Sequence, residues 1–223
     1  ANKMAPLGQI AAGVAHEINQ PIAAIRTHAD SASVQLRRED SAGALRSLSN
    51  IDRLTERIGV ITDELRAFSR KTRSETVAVG VDAAIDGAVL LVAGKLKESG
   101  IALNRRRAAS GLAVLAERNR LEQVVLNVLQ NAIEALDGTP DPAIALEVAV
   151  KGKAVSIQIT DNGPGVAPAV QARLFTPFTT SKRDGMGLGL VISRDIVAAF
   201  GGELSLEPSP TGARFVIRLA KAP

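Results

Sequence analysis

The stretch Ala15-His16-Glu17-Ile18-Asn19-Gln20-Pro21 lies inside a long helical pattern that decides how the first third of the chain folds. At about 100° per residue, Leu7, Ile10, Ala11, Val14, Ile18, Ile22, Ile25, Ala29, Ala32 and Leu36 fall on one face. His16 falls about 170° from the centre of that face, on the opposite, wet side. Gln20 is one turn further on the same wet side, and Glu17 is its neighbour in sequence. His28 lies about 70° from the apolar centre, on the flank of the seam. An exposed histidine on its own is an ordinary surface residue. His16 gains weight only from motifs further along the chain.

The apolar face predicts a helix from about Met4 to Leu36 with Pro21 inside it. Proline removes a backbone donor and crowds the preceding turn, so a kink is expected just below His16. Arg37 to Ser41 is polar and breaks the pattern, and Asp40 or Ser41 can cap the next helix. That second helix is expected from Ala42 to Arg70. Its Ile51, Leu54, Ile58, Ile61, Leu65 and Phe68 are spaced in threes and fours, as in a coiled-coil seam. Two such helices joined by a short loop make an antiparallel hairpin. One hairpin cannot cover its own apolar stripe, whereas two in a four-helix bundle can, so a homodimer is expected.

Composition bounds the rest. The 223 residues are 46% hydrophobic, ample for a core, but only 2% aromatic, so packing rests on Ala, Val, Leu and Ile. The absence of cysteine excludes disulfides and thiolate metal sites. A net charge of +4 suits a chain that handles phosphates. The charges are scattered and the aromatic-plus-basic stripes of a nucleic-acid surface are missing, which argues against nucleic acid as a partner. No apolar run reaches the roughly 18 residues of a membrane span. The chain opens inside a helical pattern without a signal peptide, which leads us to expect a fragment of a longer protein.

Lys71 to Ser74 is a polar break, and after it the periodicity changes. Val77, Val79 and Val81 alternate like a strand. Helices are expected at Asp82–Glu98, Arg118–Leu136 and Leu188–Phe200, each followed by glycine or Asp-Gly. Strands are expected at Ile101–Asn104, Ala113–Leu115, Ala143–Val150, Val155–Asp161, Leu204–Glu207 and Ala213–Leu219. This mixed order reads as an α+β layer, a sheet with helices on one face. The domain reading is a helical hairpin over 1–72, a linker over 73–81 and an α/β sandwich over 82–223.

The second part carries four features. Asn127 and Asn131 sit four apart, hence on one face of their helix. Amide oxygens can serve magnesium, which borrows the rest of its shell from phosphates and waters. Two Asn in an apolar helix can equally be interhelical hydrogen bonds. Asp161-Asn162-Gly163-Pro164-Gly165 follows directly on a strand. Its carboxylate can accept from an exocyclic amine such as that of adenine, and Gly163 and Gly165 let the backbone approach a flat ring. The same residues also make a plain turn. Gly185-Met186-Gly187-Leu188-Gly189 opens a helix and leaves free N–H groups for an anion. Between them, Phe175 and Phe178 can anchor a loop whose Thr180, Ser181 and Lys182 meet phosphate oxygens on closure.

Each feature is modest alone, but their order is specific. Asn-x3-Asn, Asp-x-Gly-x-Gly, Phe-x2-Phe and Gly-x-Gly-x-Gly resemble the N, G1, F and G2 boxes of the histidine-kinase ATPase superfamily. His-Glu-Ile-Asn-Gln-Pro resembles the phospho-acceptor box of two-component sensor histidine kinases, most closely the nitrogen-regulation and dicarboxylate-transport sensors. The resemblance implies an autokinase in which ATP phosphorylates His16 and the phosphoryl group passes to an aspartate on a response-regulator receiver domain. It implies that Glu17 orients the imidazole, Asn131 binds Mg²⁺, Asn127 supports the metal or touches phosphate, and Asp161 accepts from the adenine amine. Val166 to Met186 would form the lid over ATP. Gln20 stands where that family more often has Asn or Thr, and it would bear on phosphatase activity. The chain would be a cytoplasmic portion whose parent is anchored in the bacterial inner membrane by upstream segments.

Two rival readings stand beside this one. A water-using ATPase of the same superfamily places a glutamate four residues before the magnesium Asn, and Asn127 occupies that position here. A non-catalytic phosphotransfer or dimerisation module would not need all four boxes.

Overall fold

The computed structural model describes residues 5–69, 76–177 and 187–223, without the side chains of 5–14, 16, 17, 57, 60 and 63–69. Its contacts divide the chain into two units, one holding residues 1–71 with 177–188 and the other 72–176 with 189–223.

The first unit is the expected hairpin. Helix α1 spans Ala5–Arg37 and helix α2 spans Ser41–Ser69. Pro21 is buried inside α1, and the helix continues through it. The turn closes through Glu39 at φ 60° and Asp40. Asp40 Oδ1 accepts from Gly43 N–H at 2.8 Å, capping α2 as its sequence position suggests. Ser47 Oγ donates to Gln35 Oε1 at 2.9 Å, so a buried hydroxyl ties the two helices together. Ala32, Ala44 and Ile61 are buried in this unit. Ile22, Leu36, Leu45 and Leu48 remain 48–66% exposed. Ile22 and Leu36 belong to the apolar face read from the sequence, so a single hairpin leaves part of that face in water.

The second unit is a layered α/β domain. Strands β1 (Val77–Gly80) and β3 (Ala113–Ala116) form an antiparallel pair. The stretch 73–81 read as linker thus contains a strand from Val77, and Val81 already opens helix α3 (Val81–Glu98). The main sheet has the order β2-β4-β5-β7-β6, with β2 at Ala102–Arg105, β4 at Ala143–Lys151, β5 at Ala154–Asp161, β6 at Glu203–Glu207 and β7 at Arg214–Ala220. Only the β2–β4 pair is parallel.

Alternation decides which face of the sheet is covered. Val155, Ile157, Ile159 and Asp161 are buried on β5, while the intervening Ser156, Gln158 and Thr160 are half-buried. Helix α4 (Arg118–Ala135) buries Leu121, Val124, Val125, Val128, Leu129, Ala132 and Ile133, a stripe at helical spacing. It packs between α3 and helix α6 (Gly189–Ala199), and it also meets β5. Each fully buried Leu or Ile here contributes about 1.5–3 kcal/mol. A short helix α5, Pro168–Gln171, was not expected from the sequence. Its Pro168 is a first-turn proline, and Gln171 Nε2 donates to Val166 O at 2.8 Å.

Arg105 on β2 pins the edge strand to α3. Its guanidinium donates to Asp82 Oδ1 at 2.8 Å and also pairs with Asp86, while Arg107 reaches Asp86 from the exposed side. The hydrogen bond from Arg105 is the largest influence on the Asp86 carboxyl; burial opposes it, but with the Arg105 charge and the hydrogen bond and charge of Arg107 the carboxyl is held below the usual carboxylate range. A lowered carboxyl pKa stabilises the fold above the ordinary value and loses that contribution as pH falls through the lowered one. Arg105→Ala should therefore cost about 1–2 kcal/mol at neutral pH. It should also flatten the acid limb of stability, read by urea unfolding between neutral pH and pH 2.

Candidate active site

Asp161 ends β5, opposite Ile144 in the β4–β5 register. It is one of three buried polar residues among those described, with Ser47 and Ser193. Its Oδ1 accepts from Gly163 N–H at 2.9 Å and from Ala213 N–H at 3.1 Å. Its own N–H donates to Ala213 O at 3.0 Å. One oxygen is thus saturated by backbone donors, which fixes the carboxylate plane. Oδ2 accepts no hydrogen bond among the described residues. The arrangement offers a held, acceptor-only oxygen, which suits an amine donor on a ligand.

The surrounding glycines are small because backbone and carboxylate come close. Gly212 lies at φ +57°, and a Cβ there would collide with the Asp161 carbonyl and with Oδ1. Gly165 lies at φ +74°, and its Cβ would stand 3.0 Å from Gly212 O. A Cβ on Gly163 would stand 3.0 Å from Ala135 O, at the end of α4. Asn162 has a structural task in this turn. Its Oδ1 accepts from Ala143 N–H at 2.8 Å and its Nδ2 donates to Asp141 O at 3.0 Å, tying the loop to the start of β4. Sequence reading missed Gly212 and Ala213. The only signal was the turn-rich Pro208-Ser209-Pro210-Thr211-Gly212, which does not reveal that it faces Asp161.

Asn127 and Asn131 are half-buried on α4, one turn apart. Asn127 Nδ2 donates to Ser193 Oγ on α6 at 2.8 Å. The interhelical bond considered for this pair is therefore present at Asn127. Both amides are neutral, and no group of three or more His, Cys, Asp or Glu able to hold a metal occurs among the described residues. Such a donor set cannot retain a divalent ion unaided. It fits Mg²⁺ that arrives with triphosphate oxygens and waters already around it.

Gly187 at φ +64° and the buried Leu188 lead into Gly189, the first residue of α6. Phe175 packs under Arg194 of α6, with the guanidinium carbon 5.7 Å from the ring centroid. Phe178, Thr180, Ser181, Lys182 and Gly185 lie outside the described residues, as does the part of the expected lid from 178 to 186. His16 and Glu17 lie on the backbone of α1, and their side chains are outside the described set. Gln20 and Asn19 are exposed and His28 is half-buried, in keeping with the wheel.

Comparison with known proteins agrees with these features. Residues 7–74 match the His Kinase A (phospho-acceptor) domain, and residues 116–223 match the histidine kinase-, DNA gyrase B- and HSP90-like ATPase family. The C4-dicarboxylate transport sensor protein DctB of Rhizobium meliloti (strain 1021) is 44% identical over 222 residues, which is 100% of this chain and 36% of that protein. The chain thus spans about a third of its relative's length. Full-length ShkA in complex with AMPPNP is 25% identical, with TM-score 0.67 over 82% of this chain and 40% of that one. Histidine kinase ThkA in complex with response regulator protein TrrA shares the fold, with TM-score 0.81 and 24% identity over 99% of this chain and 63% of that one. With a phospho-acceptor hairpin followed by this ATPase domain, the chain belongs to the sensor histidine kinases.

Proposed function

We propose that this chain is an ATP-dependent autokinase that phosphorylates His16 and passes the phosphoryl group to an aspartate of a response-regulator receiver domain. The observation that carries the reading is the fixed carboxylate of Asp161, with one oxygen locked by two backbone donors and the other accepting no hydrogen bond among the described residues. That oxygen would accept from the adenine amine, while Gly163 and Gly165 admit the ring. The N-terminal turn of α6, entered through Gly187 and Gly189, would direct N–H groups at the phosphates, with Thr180, Ser181 and Lys182 closing over them. Asn131 would hold Mg²⁺ with Asn127 beside it. When bound, that ion supplies charge neutralisation on the triphosphate.

Phosphoryl transfer is largely positioning. His16 would present a neutral imidazole nitrogen in line with the γ-phosphorus. A free imidazole, with a pKa of about 6.5, is largely neutral at pH 7. The His–phosphorus bond forms as the bond to the ADP oxygen breaks, and Glu17 would hold the ring orientation through the other nitrogen. A carboxylate oxygen of the receiver aspartate would then bond to the phosphorus as the His16 nitrogen–phosphorus bond breaks and the imidazole leaves. Gln20, exposed one turn from His16, would orient water during removal of phosphate from the regulator. ThkA, whose fold this chain shares, occurs in complex with a response regulator, which supports a partner of that class. ShkA, in complex with AMPPNP, supports a nucleotide triphosphate site. Relatives such as DctB are about threefold longer than this chain, which would be consistent with a longer protein that carries a sensor and a membrane anchor and leaves this portion in the cytoplasm. The hydrolytic alternative lacks its base, because Asn127 is an amide whose nitrogen is engaged by Ser193.

Incubation with γ-labelled ATP tests the reading directly. Label that is acid-labile and base-stable supports it, and acid-stable label overturns it. His16→Gln should abolish labelling while His28→Gln retains most of it. Labelling that survives His16→Gln removes the proposed acceptor. Asp161→Asn keeps an acceptor for both backbone donors but can turn an N–H toward adenine. We expect ATP affinity to fall at least tenfold, about 1.4 kcal/mol, with circular dichroism unchanged. Unchanged affinity would contradict the adenine assignment.

The exposed Ile22, Leu36, Leu45 and Leu48 support a homodimer through the hairpin. Because β1 belongs to the second unit, the chain is best divided before Val77. In sedimentation at micromolar concentration, residues 1–70 should be dimeric and residues 76–223 monomeric. A monomeric hairpin would refute this assembly.

A further inference from the structure

We infer that the open end of strand β4, Glu147 to Lys151, is a self-complementary edge that takes the same strand of a second copy of this chain, antiparallel and centred on Ala149.

Strand β4 has a neighbour on both sides only in its first half. β2 pairs with residues 143–146, and Arg106 N–H donates to Leu146 O at 2.9 Å. Beyond that point β4 pairs with β5 alone among the described residues, as far as Lys151 opposite Ala154. Glu147, Ala149, Val150 and Lys151 are exposed there, and Val148 is half-buried. By alternation Val148 and Val150 share a face with the buried Ile144 and Leu146. Val150 is nevertheless 47% exposed, so the apolar face of β4 runs out into water.

The direction of the main-chain groups follows from the same alternation. Leu146 O turns toward β2, whereas Ala149 O accepts from Ser156 Oγ at 3.3 Å and so faces β5. Val148 and Val150 share the parity of Leu146. Their N–H and C=O groups therefore point out of the sheet, where they meet no partner among the described residues. Unpaired edge groups are a template for another strand.

The sequence of this edge decides which strand fits. Glu147-Val148-Ala149-Val150-Lys151 is symmetric about Ala149 in its apolar residues and opposite in its end charges. Laid antiparallel on a copy of itself, it sets Val148 opposite Val150, and these are the residues whose main-chain groups face outward. Glu147 then lies opposite Lys151 at both ends, in pairs without main-chain hydrogen bonds, where side chains come closest. Ala149 meets its own copy on the two-fold axis with little bulk, and each Val150 gains an apolar neighbour. Two other registers keep the outward groups paired. One, centred on Val148, needs Leu146 O, which Arg106 already holds; the other, centred on Val150, runs into the turn at Gly152. Both move Glu147 off Lys151. The contact is isologous, the same patch on each copy. An edge this short adds to an association made elsewhere, and it leaves residues 76–223 monomeric at micromolar concentration.

The chain has no cysteine, so a single introduced one reports on its own position. In the whole 223-residue chain, Ala149→Cys places two thiols across the axis. Their Cα atoms would lie about 4.5 Å apart, within reach of a disulfide. Lys153→Cys is an exposed control in the β4–β5 turn, far from its copy in this register. Under diamide, Ala149→Cys should form the linked dimer roughly tenfold faster than Lys153→Cys. Adding Lys151→Glu sets like charges opposite each other and should slow linking about fivefold. Adding Glu147→Lys as well reverses both pairs and should restore the rate. Thermal melting equal to that of the parent chain shows that each variant is folded. Equal rates at 149 and 153 would overturn the inference, because they mean collision without register. Indifference to Lys151→Glu, or a reversed pair that stays slow, would overturn it too, and no linking at 149 would leave the edge to a strand of another protein.

Discussion

The pair of backbone N–H groups that hold Asp161 Oδ1 is the constraint on which the second unit's site depends. Those donors come from Gly163, just after β5, and Ala213, just before β7. They lie 50 residues apart in sequence (163 and 213) and are brought together only because β5 and β7 pair antiparallel. The carboxylate therefore reads out whether the sheet has formed in register. A one-residue slip of β7 would move Ala213 away and turn the buried side chains of β7 to the wrong face. The same closeness explains Gly212, because any side chain there would meet the Asp161 carbonyl and carboxylate at once. Fold and site are thus fixed by one set of contacts.

A second constraint sits at the α4–α6 contact. There the half-buried Asn127 donates through Nδ2 to the buried Ser193 Oγ, which ties the two helices together. Arg194, the next residue on α6, covers the ring of Phe175, within the proposed lid. Helix α6 therefore meets one proposed element through buried hydrogen bonding and another through a half-exposed cation on a ring. The hairpin is governed by a different imbalance. Its helices bury Ala32, Ala44 and Ile61, yet Leu36 and Leu45, on either side of the turn, stay 59% and 66% exposed. An apolar stripe wider than one partner helix can cover asks for a second partner.

Most of the fold was legible because its elements are periodic. The α4 stripe from Leu121 to Ile133 and the β5 alternation from Val155 to Ile159 are strong signals, and both elements fall within a residue of expectation. The first β-strand was visible in Val77 and Val79, but not the fact that it pairs with Ala113–Ala116, since pairing between distant segments leaves no local trace. Helix α5 is a single turn, too short to show a period, and only Pro168 hinted at it. Within the candidate site, Asp161 and Asn127 could be singled out from spacing. Ser193 and Gly212 were not, because their importance lies in the groups opposite them across a helix contact and a strand pair.

The chemistry of Asn127 carries the distinction between kinase and hydrolase furthest. A carboxylate at this position would be an acceptor at both ends and, near triphosphate, could take a proton from water. An amide cannot, because neither its oxygen nor its nitrogen is basic enough to take that proton. This position is thus unable to activate water. On the proposed reading, the γ-phosphorus is then left for a nucleophile that needs no base, and a neutral imidazole is one. On that reading, the histidine that the sequence pattern sets opposite the apolar face and the amide in place of a base on α4 are two halves of one chemical choice, made in different parts of the sequence.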